Sequence, residues 1–131
     1  MDFFMKLTLG EALKKGVEAH KNGQLQEAER LYSTIINVQP NHADANHNMG
    51  VLAVGLGKIQ SSLPFFKVAT IANPKVVQFW LSYINALMKL GRSAEAQLES
   101  FKAQKQGFTG GALDQLEKNL TKQGLEINNT D

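Results

Sequence analysis

Three glycines, Gly23, Gly57 and Gly91, recur at one constant interval in a chain of 131. Each sits in a short turn after a helix-length stretch: Asn22-Gly23-Gln24, Leu56-Gly57-Lys58 and Leu90-Gly91-Arg92. Helices commonly stop on a left-handed residue, a conformation that only glycine adopts without a Cβ penalty. A constant interval long enough for two helices implies a chain built from repeated supersecondary units, each unable to bury its apolar face alone.

Other positions keep the same offset. Gly16 and Gly50 share a place inside the first helix of their units. Ala28, Ser62 and Ala96 form a small-residue series, Tyr32 and Phe66 an aromatic pair, and Ile35, Ala69 and Ala103 an apolar series. Pro40 and Pro74 close the first two units, where proline stops a helix and re-aims the chain. Small residues suit the close crossing of two helices, and aromatics suit the wedge towards the next unit. Proline is otherwise scarce and β-branched residues are scattered, which favours helix over strand.

These series resemble the tetratricopeptide repeat (TPR) family over about residues 9–108. The pattern implies an all-α fold of three TPR helix-turn-helix pairs, A and B, in a right-handed superhelix with a C-terminal capping helix. The predicted pairs are 9–22 with 25–38, 43–56 with 59–72, and 77–90 with 93–106. They form repeats at 9–42, 43–76 and 77–108. An apolar segment, 1–8, precedes them, and a capping helix within 109–124 and a polar tail, 125–131, follow.

Thr8-Leu9-Gly10-Glu11 reads as a capping box at the first helix, and Asn41, three before Asp44, as a related cap for the second pair. Leu113, Leu116 and Leu120 recur at helical spacing and suit a helix that covers the last repeat's apolar face, around Leu98 and Phe101. Pro64 falls inside the second helix B, so that helix starts late, on Ser61 or Ser62, or kinks. The third unit departs most: Ile84 replaces the glycine, Ser100 the aromatic and Phe108 the proline. Phe101 is expected to turn into the vacated wedge.

The remaining sequence argues against several kinds of chemistry. Without cysteine there is no disulfide, thiolate metal site or cysteine nucleophile. His47 and Asp44 share a helix face but lack a third ligand, so no metal and no cofactor are expected. Gly107-Phe108-Thr109-Gly110-Gly111 lacks the lysine of a phosphate-binding loop and follows no strand, so it reads as a joint. No carboxylate pair or Ser/His/Asp set suggests an enzyme.

With a net charge of +2, the spread lysines (Lys102, Lys105, Lys118 and Lys122 among them) read as solvated faces, not a nucleic-acid stripe. No apolar run approaches a membrane span. The opening Met1-Asp2-Phe3-Phe4-Met5-Lys6 does not read as a secretory signal, so a cytoplasmic protein is expected.

The resemblance also implies where function lies. Helix A lines the concave face, which assigns Leu13, Lys14, Val17 and Lys21 to a groove, then Asp44, His47, Asn48, Val51 and Val54. The third repeat adds Gln78, Leu81, Ser82, Asn85, Met88 and Lys89. The expected partner-binding set is Leu13, Val17, His47, Asn48, Val51, Gln78, Leu81, Ser82 and Asn85, with apolar patches and amides suited to an extended peptide.

Some members of the family grip acidic chaperone tails through a carboxylate clamp. At the clamp positions this chain has Leu13, Val17, Asn48, Gln78 and Ser82. Only Asn48 matches, so such tails are not expected to bind tightly. Gln26–Tyr32, Leu63–Lys67 and Gln78–Tyr83 are similar to bacterial TPR modules that precede transferase domains. Three readings stand: a peptide-binding scaffold, a recruiting domain of a larger transferase, or a self-association module joined through Phe3, Phe4, Met5 and Leu7.

Overall fold

The computed structural model describes the backbone of residues 2–108 and 111–129, and the side chains of 9–108, 111 and 113–122. Seven helices follow one another within the described residues: α1 (Asp2–Lys21), α2 (Leu25–Val38), α3 (Ala43–Gly55), α4 (Ile59–Ala72), α5 (Val77–Lys89), α6 (Ser93–Lys105) and α7 (Gly111–Asn129). Each packs on its sequence neighbours, and no strand occurs among the described residues.

The three turns are built alike. Gly23, Gly57 and Gly91 have φ of 76°, 78° and 72°. In each turn the glycine N–H donates three residues back, to His20, Val54 and Met88 carbonyls at 2.9–3.1 Å. The next N–H donates five back, to Ala19, Ala53 and Leu87 at 2.8–2.9 Å. This paired closure satisfies carbonyls that the helix end would orphan.

Within a pair, the helices cross where a side chain is missing. A Cβ built on Gly16 would stand 2.7 Å from Tyr32 Cε1, and one on Gly50 would stand 2.6 Å from Phe66 Cδ1. Both aromatic rings are almost wholly buried. The third pair reverses the arrangement: Ile84 is fully buried on α5, and the facing position on α6 is the small, buried Ser100. The bulk has moved from helix B to helix A. Phe101 therefore does not turn inward; it is 53 % exposed, with Lys105 Nζ 4.6 Å from its ring centroid.

A second recurring device ties each unit to the next. Asn46 and Trp80 hold the same place in successive repeats and donate to the carbonyls of the unit-closing prolines: Asn46 Nδ2 to Pro40 at 3.0 Å and Trp80 Nε1 to Pro74 at 2.9 Å. An amide and an indole do one job because both carry an N–H at a buried position.

Several boundaries differ from expectation. Helix α1 begins at Asp2 instead of Leu9, so Thr8 lies within the helix and not at its start. The self-association expected through Phe3, Phe4, Met5 and Leu7 concerns side chains outside the described residues. The cap of α3 is His42, whose Nδ1 accepts from the Ala45 N–H at 3.1 Å, in place of Asn41. Helix α4 starts at Ile59 and carries Pro64 within it, which removes the late start. Pro64 is exposed, so water can reach the carbonyl it leaves unpaired.

Helix α7 runs past the expected end to Asn129. Its Leu113, Leu116 and Leu120 are buried in one cluster with Trp80, Leu81, Ile84, Leu87 and Ala103. Leu98, like Phe101, stays 53 % exposed, so α7 covers a different face of the third pair from the one expected. Gly111 follows Val77 by one full repeat, so α7 begins where a fourth helix A would, and Lys118 falls in the series Gly16, Gly50, Ile84. Asp114, Lys118, Thr121 and Lys122 are exposed. A polar face at the close-packing position suits a terminal cap.

Candidate functional site: the face of the first helices

Curvature follows from which helices meet. Helix α1 meets α3, α3 meets α5 and α5 meets α7, whereas among the described residues α2, α4 and α6 do not meet one another. The stack closes on the side of the first helices, and that side forms the groove.

His47 lies at its centre, where α3 faces α5. The imidazole ring is 4.9 Å from the Phe79 ring and 5.6 Å from Phe66, centroid to centroid. Its Nε2 is 2.8 Å from Ser82 Oγ, and Gln78 Nε2 donates to the same hydroxyl at 3.1 Å. Burial among the aromatics pushes the His47 pKa below the ordinary imidazole value; a hydrogen bond with Asn48 and the charge of Asp44 oppose that shift. The ring is thus held neutral near pH 7 and joins the second unit to the third.

Two cavities flank this link. One, of about 190 Å³, is lined by Val51, Val54, Phe66, Ser82, Asn85, Ala86 and Lys89. The other, of about 340 Å³, is lined by Gln78, Leu81, Asn85, Gln115, Leu116 and Asn119. Asn85 belongs to both.

The structure therefore gathers six of the nine expected residues: His47, Val51, Gln78, Leu81, Ser82 and Asn85. Asn48 is half-buried beside His47, while Leu13 and Val17 on α1 are half-buried and line neither cavity. Leu13 instead packs between two core clusters of the first pair. Met88, assigned to the groove on the wider reading, is buried in the core of the third pair.

Sequence reasoning missed Phe66, Phe79 and Ala86, which reach the groove from between helices, and Gln115 and Asn119. Those last two had a signal: with α7 starting one repeat after α5, Gln115 and Asn119 correspond to Leu81 and Asn85. Among the described residues no group of three histidine or acidic side chains could hold a metal.

No protein-family model matches the chain, and no curated protein matches it by sequence. Solved structures do. The type III secretion translocator chaperone SycD of Yersinia enterocolitica superimposes with a TM-score of 0.80 at 14 % identity, over 94 % of this chain and 88 % of that one. The TPR2B domain of yeast Sti1, in its complex with pHsp70, superimposes with a TM-score of 0.78 at 19 % identity, over 89 % and 98 %. This chain has the TPR fold.

SycD has also been solved with a peptide of the translocator YopD. A third structure, the O-GlcNAc transferase of Thermobaculum terrenum, gives a TM-score of 0.69 at 19 % identity; the match covers 77 % of this chain and only 19 % of the transferase. In TPR terms α1, α3 and α5 are the A helices of three repeats, and α7 is the cap. Among the described residues no helix is long and apolar enough to cross a membrane.

Proposed function

We propose that this chain is a protein-interaction scaffold that holds an extended segment of a partner on the A-helix face, and is not itself an enzyme. The observation that carries the reading is the pair of cavities that share Asn85. Apolar walls for side chains alternate there with amides and a hydroxyl able to pair with a peptide backbone. Structurally similar TPR domains solved with a YopD peptide and with pHsp70 support it. The clamp positions Gln78 and Ser82 are hydrogen-bonded to each other, Ser82 also pairs with His47, and neither carries a cation. A two-pronged grip on a terminal carboxylate is therefore not this groove's mode of binding.

The partial match to a transferase favours one refinement: a recruiting domain at the N-terminal side of a larger bacterial enzyme. The groove would then select that enzyme's substrates or partners.

The test is selection from a random twelve-residue peptide library displayed on phage. It is run on the wild type and on Asn85→Trp, an exposed substitution that closes both cavity mouths. Peptides enriched on the wild type should lose binding to the variant. Equal enrichment on both proteins, or none on either, would refute the groove reading.

A further inference from the structure

The smaller cavity has a feature that the peptide-scaffold reading alone does not use. Its walls are aliphatic and aromatic (Val51, Val54, Phe66, Ala86), and its polar groups, Ser82, Asn85 and Lys89, belong to α5. At about 190 Å³ it falls below the ~300–1,000 Å³ of sites that enclose a small-molecule ligand. It suits one inserted side chain.

Lys89 is the charge at this cavity. Among the described residues the ion pairs use Arg30, Arg92 and Lys102, and no carboxylate of those residues stands within pairing distance of Lys89. Asp44, the acidic residue assigned to the groove, lies on the first turn of α3, ten residues before Val54 and so roughly 15 Å away along the helix. Position 55, which precedes Lys89 by one repeat, is glycine with nothing within 4 Å of where a Cβ would stand. The approach to Lys89 past α3 is therefore open.

We propose that the groove selects an internal protein segment with an aliphatic side chain, of valine to methionine size, placed one or two residues from an aspartate or glutamate. The aliphatic group enters between Val51, Val54, Phe66 and Ala86. Asn85 pairs with the neighbouring peptide group, and the carboxylate meets Lys89. In an extended chain one or two residues span about 3–7 Å, the reach from a pocket to its own rim. This specificity rests on the scaffold reading above and adds the chemistry of the partner. It needs no free C-terminus, so it is separate from capture of a terminal carboxylate.

The phage library tests it, because displayed peptides offer no free C-terminus. Wild-type selections should converge on Val, Ile, Leu or Met with Asp or Glu within two residues. Lys89→Glu, an exposed change, should keep the aliphatic residue and exchange the acid for Lys or Arg. It should also weaken a synthetic, C-terminally amidated wild-type consensus peptide about tenfold, since an attraction of modest strength becomes a repulsion. Val54→Phe, accepted only if its unfolding midpoint matches wild type, should remove the aliphatic preference.

Peptides that depend on Asn85 but show no acidic preference, or whose preference survives Lys89→Glu, would overturn this specificity and leave the scaffold reading standing. Loss of all Asn85-dependent enrichment would overturn both.

Discussion

The third repeat places an isoleucine where the first two place glycine, and a serine where they place a tyrosine or phenylalanine. If this is one volume moved across the A–B crossing, the exchange should be transferable to the second repeat. Gly50→Ile alone sets a Cβ and two further branches against the Phe66 ring, which is 1 % exposed. Overpacking of this kind costs about 1–3 kcal/mol, offset by about 0.5 kcal/mol from replacing a helical glycine. Phe66→Ala alone opens a cavity and should cost about 3–5 kcal/mol.

Alanine is preferable to serine in this test because Ser100 finds Glu117 Oε1 at 3.4 Å on α7, a partner particular to the third repeat. In the double variant the isoleucine enters the space the ring has left. The combined loss should therefore fall short of the sum by roughly 0.5–3 kcal/mol, the range of coupling between residues in contact. Urea unfolding followed by circular dichroism and by Trp80 fluorescence measures this, with coincident curves licensing the two-state treatment. Additivity within about 0.5 kcal/mol would refute the idea that Ile84 and Ser100 exchange volume.

Other outcomes follow from single contacts. Because burial lowers the His47 pKa in the folded chain, the unfolded chain binds the proton more readily. Stability should then fall as pH drops below the unfolded value of about 6.5, and rise again with pH through that window. The unfolding midpoint of His47→Gln should lose this dependence, and a wild-type midpoint flat between pH 7 and 5 would contradict it. Asn46→Ala leaves the Pro40 carbonyl without its side-chain donor and should cost about 1–3 kcal/mol in urea unfolding. Trp80→Phe, which removes the equivalent bond in the next unit, should also destabilise. Ending the chain after Gln106 removes Leu113, Leu116 and Leu120, each worth about 1.5–3 kcal/mol of burial. It uncovers Leu81 and Ala103, so sedimentation should show aggregates or oligomers where the parent sediments uniformly.

The helical repeat was legible in the sequence because its causes are local and recur. A left-handed residue is needed at every A–B turn, and glycine at 23, 57 and 91 meets that need by backbone sterics alone. Gly16 and Gly50 were legible for a related reason, since close helix crossing excludes a side chain whatever surrounds it. The period also set which helices are the first of each pair, and the family resemblance, not the period, placed them on the groove.

Tertiary structure decided what depends on contacts between units. No local rule announces that Asn46 does the work of Trp80, because the shared requirement is an N–H aimed at a carbonyl six residues back. The sequence shows Ile84 and Ser100 as two departures, and only the packed α5–α6 pair makes them one exchange of volume. His42 resembles no usual cap until the turn aims its ring at the Ala45 N–H. The groove's chemistry lies furthest from sequence. His47, Gln78 and Ser82 come from two helices and become one hydrogen-bonded group only when α3 and α5 meet. Lys89 gains meaning only from the cavity beside it, because periodicity fixes which face a residue occupies, while the spacing of neighbouring helices fixes what that face can hold.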